Sequence, residues 1–223
     1  ARFTLDGLFK HEGLHLDKVF IDNAQMNLVI EDTSDIRTTN NLSRIFRIKK
    51  KDTPREPKEK ELFHIRKVES HDMGFAMKSY KTVKPDHSDG GIDWNDMDIR
   101  NIQLNARELQ FKGGIMTGEL IDLSFMEKSG YIVEQMSGTA KVGRGKTIVE
   151  DLLIDDPWSE VHLPLFMMSY ENIKAFKDFI AMVKIDGDIS ESLLDFRTLS
   201  YFSPALAGNR LQLDVSGKMS GYV

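Results

Sequence analysis

Between Ile92 and Met167 apolar residues recur at every second position in short bursts, and a glycine- or proline-bearing break follows each burst. The bursts include Ile102/Leu104/Ala106, Leu109/Phe111, Ile121/Leu123/Phe125, Ile132 with Met136/Ala140/Val142, Ile148 with Leu152/Ile154, and Val161/Leu163/Leu165/Met167. Successive side chains of a strand point to opposite faces, so this period specifies strands with one apolar and one polar face. The breaks at Lys112-Gly113-Gly114, Lys128-Ser129-Gly130, Gly143-Arg144-Gly145 and Asp155-Asp156-Pro157 are turn chemistry at near-regular spacing. The pattern is that of an antiparallel meander whose apolar face needs a cover: a helix, another sheet, or something that is not protein.

The period slips twice, from Ile99 to Ile102 and from Ala106 to Leu109. An odd step throws the following apolar residues onto the wrong face unless a bulge absorbs the extra residue. Bulges or bends are therefore predicted near Arg100-Asn101 and Arg107-Glu108, and with them a strongly curved sheet. Upstream, Leu14/Leu16 and Ala24/Met26/Leu28/Ile30 give two or three strands, and Phe63/Ile65 and Met73/Phe75/Met77 resume the pattern. A charged loop at 49–61 and a second loop at 85–91 interrupt it. Ile173, Phe176, Phe179/Ile180 and Val183 recur at helical spacing, predicting an amphipathic helix over 170–184 with Ser169 as N-cap. A shorter helix is expected over about 193–202, before Pro204, and a final strand at Leu211–Val215. The expected fold class is mainly β (β-rich α+β), with residues 1–91 forming N-terminal strands and loops and 92–223 the meander, helices and last strand.

Composition excludes several functions. At 223 residues the chain can bury a core without metal or disulfide staples. A net charge of −5, with Lys and Arg dispersed among Asp and Glu, argues against a nucleic-acid partner. There is no cysteine, hence neither a disulfide framework nor a thiolate site. No apolar run approaches the roughly 20 residues of a membrane-spanning helix. The chain begins without methionine and stops soon after an alternating segment, as expected of an excerpt from a longer protein.

Two enzyme-like spellings fail on context. His11-Glu12-Gly13-Leu14-His15 matches the zinc-protease pattern HExxH, which needs both imidazoles on one helical face. Gly13 and the Leu14/Leu16 alternation instead make this a strand, where His11 and His15 would stand roughly 13 Å apart. Ala140–Thr147 loosely spells a phosphate loop, but β-branched alternating residues follow where a helix is required, so the loop is read as a hairpin turn. Asp93/Asp96/Asp98 and the Asp186-Gly187-Asp188 turn lack calcium-loop spacing. His64, His71, His87 and His162 stand isolated in the sequence. No catalytic residue, metal site or cofactor is expected.

Several segments carry a resemblance: Ile92-Asp93-Trp94-Asn95-Asp96-Met97 followed by Ile99, Ile102 and Leu104; Leu123–Gly130 with Met136-Ser137-Gly138; Leu152-Leu153-Ile154 before Ser159; and Leu199–Leu206 with Val215-Ser216-Gly217. They resemble the TamB/AsmA-like cell-envelope proteins, in particular the TamB-like proteins of Bacteroides-type bacteria. The likeness covers Ile92–Val223 and, more loosely, Leu14–Ile30, through diffuse repeat motifs. It implies a periplasmic protein anchored in the inner membrane of a Gram-negative bacterium, whose curved, antiparallel-rich sheet rolls into a groove or taco-like half-barrel covered by one or two amphipathic helices. It further implies phospholipid acyl chains as cargo, support of outer-membrane biogenesis, and outer-membrane assembly proteins as partners. The lining would be Ile102, Leu104, Leu109, Phe111, Leu123, Phe125, Leu152, Ile154, Leu163 and Leu165. Each of these, taken singly, fits an ordinary closed core better, because alternating apolar residues are usually core. The alternative is thus a structural or adhesive β-module with a sealed interior, and a zinc metalloprotease built on HEGLH is the remaining one.

Overall fold

The computed structural model describes residues 13–30, 61–80, 90–171 and 179–222. Nearly all of them belong to one open, curled sheet. Its strands are β1 (Leu14–Asp22), β2 (Gln25–Ile30), β3 (Glu61–Ser79), β4 (Asp96–Lys112), β5 (Ile115–Glu127), β6 (Ile132–Val142), β7 (Lys146–Asp155), β8 (Glu160–Ser169), β9 (Lys184–Asp195) and β10 (Gln212–Tyr222). Helix α1 (Phe179–Met182) precedes β9, and α2 (Phe196–Phe202) follows it. From β3 to β10 each strand pairs antiparallel with the next in sequence, the meander expected from the alternation. Among the described residues, no helix is long and apolar enough to cross a membrane.

Strands β1 and β2 form the two halves of one edge and pair parallel with β3 in a single register, Asp22 opposite His71 and Gln25 opposite Gly74. Parallel pairing needs a crossover connection. The residues that make it, including the charged loop at 49–60, lie outside the described residues, as do 81–89 of the second loop. Glu61 itself already belongs to β3.

Both expected slips are present as left-handed backbone. Asn101 has φ 54° and Glu108 φ 52°, and the β4–β5 register shifts between Arg100 and Gln103 and between Arg107 and Gln110. Each slip is shared across the sheet. Asn23 (φ 47°) and Asp72 (φ 48°) join Asn101 in one transverse line, and Asp22/Asn23, His71/Asp72 and Arg100/Asn101 are pairs of consecutive exposed residues. A second line has exposed pairs at Asp17/Lys18, Arg66/Lys67 and Arg107/Glu108. Two outward residues in a row let the apolar set resume on its original face: Leu16 and Val19, Ile65 and Val68, Leu109 and Ala106 are register partners on either side of this crease. A left-handed residue costs about 1–2 kcal/mol. Turning Ile102 and Leu104 out to water instead would forfeit about 1.5–3 kcal/mol each, so the bulge wins.

The helices depart from the sequence expectation at their boundaries. Ser169 is the last residue of β8, paired with Lys146 and Lys184, and Tyr170 is not helical, so the N-cap assigned to Ser169 does not form. Residues 172–178 of that predicted helix lie outside the described residues, and Lys184 opens β9. Leu193–Asp195 continue β9 instead of starting a helix; Asp195 caps α2 by accepting from the Arg197 backbone N–H. Asp186-Gly187-Asp188 runs through the interior of β9 and is no turn, with Lys184 and Ser220 hydrogen-bonded to Asp186. The loop at 143–145 is the hairpin turn expected, closed by Gly143 N–H donating to Lys146 O.

Because Asn101 occupies left-handed backbone on an exposed strand position, Asn101→Gly should leave stability within about 0.5 kcal/mol, whereas a β-branched valine there should cost about 1–2 kcal/mol. Equilibrium urea unfolding of the two variants checks this.

Candidate functional site

A sheet of one layer buries little. Among the described residues, the buried apolar side chains are Val68, Ile92, Ala106, Tyr131, Val133, Leu163, Tyr170 and Val183. Only two groups of them touch. One is Ile92, Tyr131 and Val133, with Phe125, Met136 and Tyr201 packed on them; the other is Tyr170 and Val183, with Met168. These clusters lie at opposite ends of the strands, and the apolar face between them is, apart from Val68, Ala106 and Leu163, only half-buried.

That intervening face holds an apolar cavity of about 210 Å³ bordered by Leu104, Ala106, Leu109, Met116, Leu120 and Val142. Gly118 lies in its wall, where a Cβ would come within 2.6 Å of the Leu109 side chain. Leu104 and Leu109 are thus brought to the cavity, and Ile65 lies opposite Leu109. From Leu104 a transverse row runs across four further strands through the register pairs Leu104/Leu123, Leu123/Met136, Met136/Ile154 and Ile154/Val161. Leu152 pairs with Leu163, which is buried. Phe111 stacks on Phe63 at 6.1 Å, and Ile102 lies opposite Met73. Phe125 joins the end cluster through an edge contact with Tyr131. Leu165, expected in the lining, lies on the polar face instead: its register partners are Glu150 and Asp188, and a register shift between His162 and Leu165 puts Phe166, opposite Val149, on the apolar face. Ala106 and Val142, which stand in the alternating bursts but were not among the expected lining residues, also line the cavity, as do Met116 and Leu120, which alternation did not single out. Their signal is the small residues Ala106, Gly118 and Ala140 on three adjacent strands, which leave the hollow.

One end of this trough is plugged. Helix α2 places Tyr201 and Phe202 against Tyr131, with ring centroids 5.4 and 5.3 Å away, and stacks Tyr201 on Trp158 at 6.2 Å. Trp94 lies 6.3 Å from Phe202. A buried polar latch fixes the helix to the β7–β8 turn. The Asp156 carboxylate accepts from the backbone N–H groups of Trp158 and Ser159 and from the Thr198 hydroxyl, while Ser159 Oγ accepts from the Asp195 N–H. Arg197 donates to both oxygens of fully buried Asp195, at 2.9 and 2.6 Å, and holds that carboxyl well below the usual carboxylate range. Burial, with the Asp156 charge nearby, pushes the Tyr131 phenol up to about 12.

The opposite face carries charged and polar residues among a few exposed apolar ones such as Phe20 and Leu153. Arg107 grips Glu119 bidentately at 2.6 and 2.5 Å, and Glu69 takes Lys18 and Lys67, whose hydrogen bonds lower its carboxyl to about 2. His64, isolated in the sequence, has its Nε2 2.6 Å from Glu108 Oε2. His162 Nδ1 bonds Ser190 Oγ at 2.8 Å, and the His71 ring meets Phe20 edge-on at 5.5 Å. His11, Glu12 and His87 lie outside the described residues, while His15 is in β1, in extended backbone. In comparisons with known proteins, no family model, curated protein or solved structure matches the chain.

The chain's two tryptophans both flank the plug, so their fluorescence reports its docking. A carboxyl depressed in the fold contributes stability above its unfolded value of 3.8 and loses it as the pH falls through the lower folded value. Emission should therefore stay constant from neutral pH to about 4 and shift red below it. In Asp195→Asn the red shift should already be present at neutral pH; an unchanged acid transition in that variant would contradict the latch.

Proposed function

We propose that the chain is a non-enzymatic trough that shields phospholipid acyl chains in the cell envelope, as the resemblance to TamB/AsmA-like proteins implies. The observation that carries this reading is the apolar band between the two end clusters, which none of the described residues covers, with its cavity bordered by Leu104, Leu109 and Leu120. Exposed apolar area of this kind costs free energy in water at about 25 cal/mol per Å². An acyl chain offers a matching surface: it is apolar along its length, needs no directional partner, and tolerates the change of side chain from strand to strand. The transverse row from Leu104 to Val161 gives such a chain a path across the strands. On this reading the protein works in the periplasm, with its parent chain anchored in the inner membrane, and supports outer-membrane biogenesis by lipid transport or by assisting outer-membrane protein assembly. Ile102, Leu104, Leu109, Phe111, Leu123, Phe125, Leu152, Ile154 and Leu163 are its proposed lipid contacts; Leu165, on the polar face, is not among them.

The reading is tested by mass spectrometry of organic extracts from the purified protein. Wild type should carry phospholipid, and Leu104→Asp/Leu120→Asp, at half-buried positions, should carry several-fold less with its circular dichroism retained. A wild type free of lipid favours the structural or adhesive module instead.

A further inference from the structure

Three strands converge on one spot of the polar face. His15 on β1 is the register partner of His64 on β3. Glu61 lies three residues before His64, an odd step that would place it on the other face of a regular strand. Here β3 bulges: Glu61 pairs with Lys112 and Phe63 with Phe111, so Leu62 is the extra residue, and it is exposed. The bulge brings Glu61 round to the side of His64. One ligand atom from each of His15, Glu61 and His64 then lies within 4.8 Å of the other two, with His64 Nδ1 3.9 Å from Glu61 Oε1.

Strand β4 supplies a supporting carboxylate and amide. Glu108 Oε2 is 2.6 Å from His64 Nε2, and Gln110 Nε2 donates to Glu61 Oε1 at 3.1 Å. In the tautomer that donates from Nε2 to the Glu108 carboxylate, the lone pair of His64 stands on Nδ1, the nitrogen 3.9 Å from Glu61. Histidine ligands of metals are oriented in this way, by a carboxylate on the nitrogen that does not bind. Glu108 reaches His64 from its left-handed position in the crease.

We infer that His15, Glu61 and His64 form a binding site for one divalent transition-metal ion of the zinc type, which clamps the β1 edge onto β3. Two imidazoles favour zinc-type ions over calcium or magnesium, which take oxygen ligands, and a carboxylate is a usual third ligand of zinc beside them. Zinc bonds of about 2.0–2.2 Å put tetrahedral donors roughly 3.3–3.6 Å apart, so the three side chains close by about 1 Å or less on the ion. The fourth position opens to solvent through the adjoining hollow of about 230 Å³, lined by His15, Leu16, Asp17, His64 and Arg66. The ion would tie an edge strand to its neighbour by side chains as well as by the parallel ladder. The site shares only His15 with the HExxH spelling, and it is independent of the lipid-trough reading, because it lies on the other face.

Metal-stripped protein is dialysed against zinc sulfate and its zinc content measured, with thermal melts recorded before and after loading. Wild type should take up one zinc per chain and melt higher, with the rise reversed by EDTA. His15→Ala and His64→Ala should each lose the ion, and Glu108→Gln should bind it about 10–100-fold more weakly. His11→Ala should bind like wild type. Should either alanine variant melt poorly without metal, the graded loss in Glu108→Gln, which removes no ligand, carries the test. A wild type that takes up no zinc, zinc retained after His64→Ala, or zinc lost after His11→Ala would each overturn the assignment; the first would leave His64 and Glu108 as an ion pair only.

Discussion

The fold depends on keeping one face of a single-layer sheet apolar over strands of up to 19 residues. A twisted strand of this length cannot hold strict alternation against neighbours of different length and curvature, and the backbone takes up the mismatch at a few left-handed residues. Asn23, Asp72 and Asn101 do so along one line, and Glu108, Asp151 and Glu191 at other places. Asn and Asp tolerate this conformation best among non-glycine residues, which accounts for four of the six. The creases that result also curl the sheet, so one device both preserves the apolar face and makes it hollow.

A hollow needs ends, and the two ends are built differently. At one, aromatic rings from α2, Tyr131 and Trp158 interlock over Val133, and the Asp156–Ser159–Thr198–Asp195 network holds the helix to its turn. At the other, Tyr170 packs on Val183, and its hydroxyl donates to Gly143 O and contacts Thr147 Oγ1. The latch groups of Asp156, Ser159, Thr198 and Asp195 at one end and the Tyr170 hydroxyl at the other are hydrogen-bonded, so these ends are specific in geometry as well as apolar. Among the described residues the band between them carries no cluster of buried apolar side chains, which suits an adaptable surface better than a single rigid partner.

The polar face is organised by the same creases. The one at Arg66/Lys67 and Arg107/Glu108 turns charged residues outward in pairs, and Glu108 reaches His64 from there. A bulge at Leu62 does for Glu61 what the creases do for the apolar rows, moving a side chain to the face that alternation denies it.

Much of this was legible in the chain itself. Alternation and turn residues set the strands and their sequential pairing, and the odd steps at Ile99/Ile102 and Ala106/Leu109 located both bulges of β4, because a period-two pattern leaves only one way to keep apolar residues together. Leu104 and Leu109 were legible as inward residues for the same reason. The parallel attachment of β1 and β2, the α2 plug, and the meeting of His15 with His64 and Glu61 were not. Each joins residues whose proximity follows from strand order and register and from no local period: His15 and His64 are neighbours only because β1 lies parallel to β3. Asp195 could be read as a helix cap, but only its burial under Arg197 and beside the Asp156 latch shows what that cap secures.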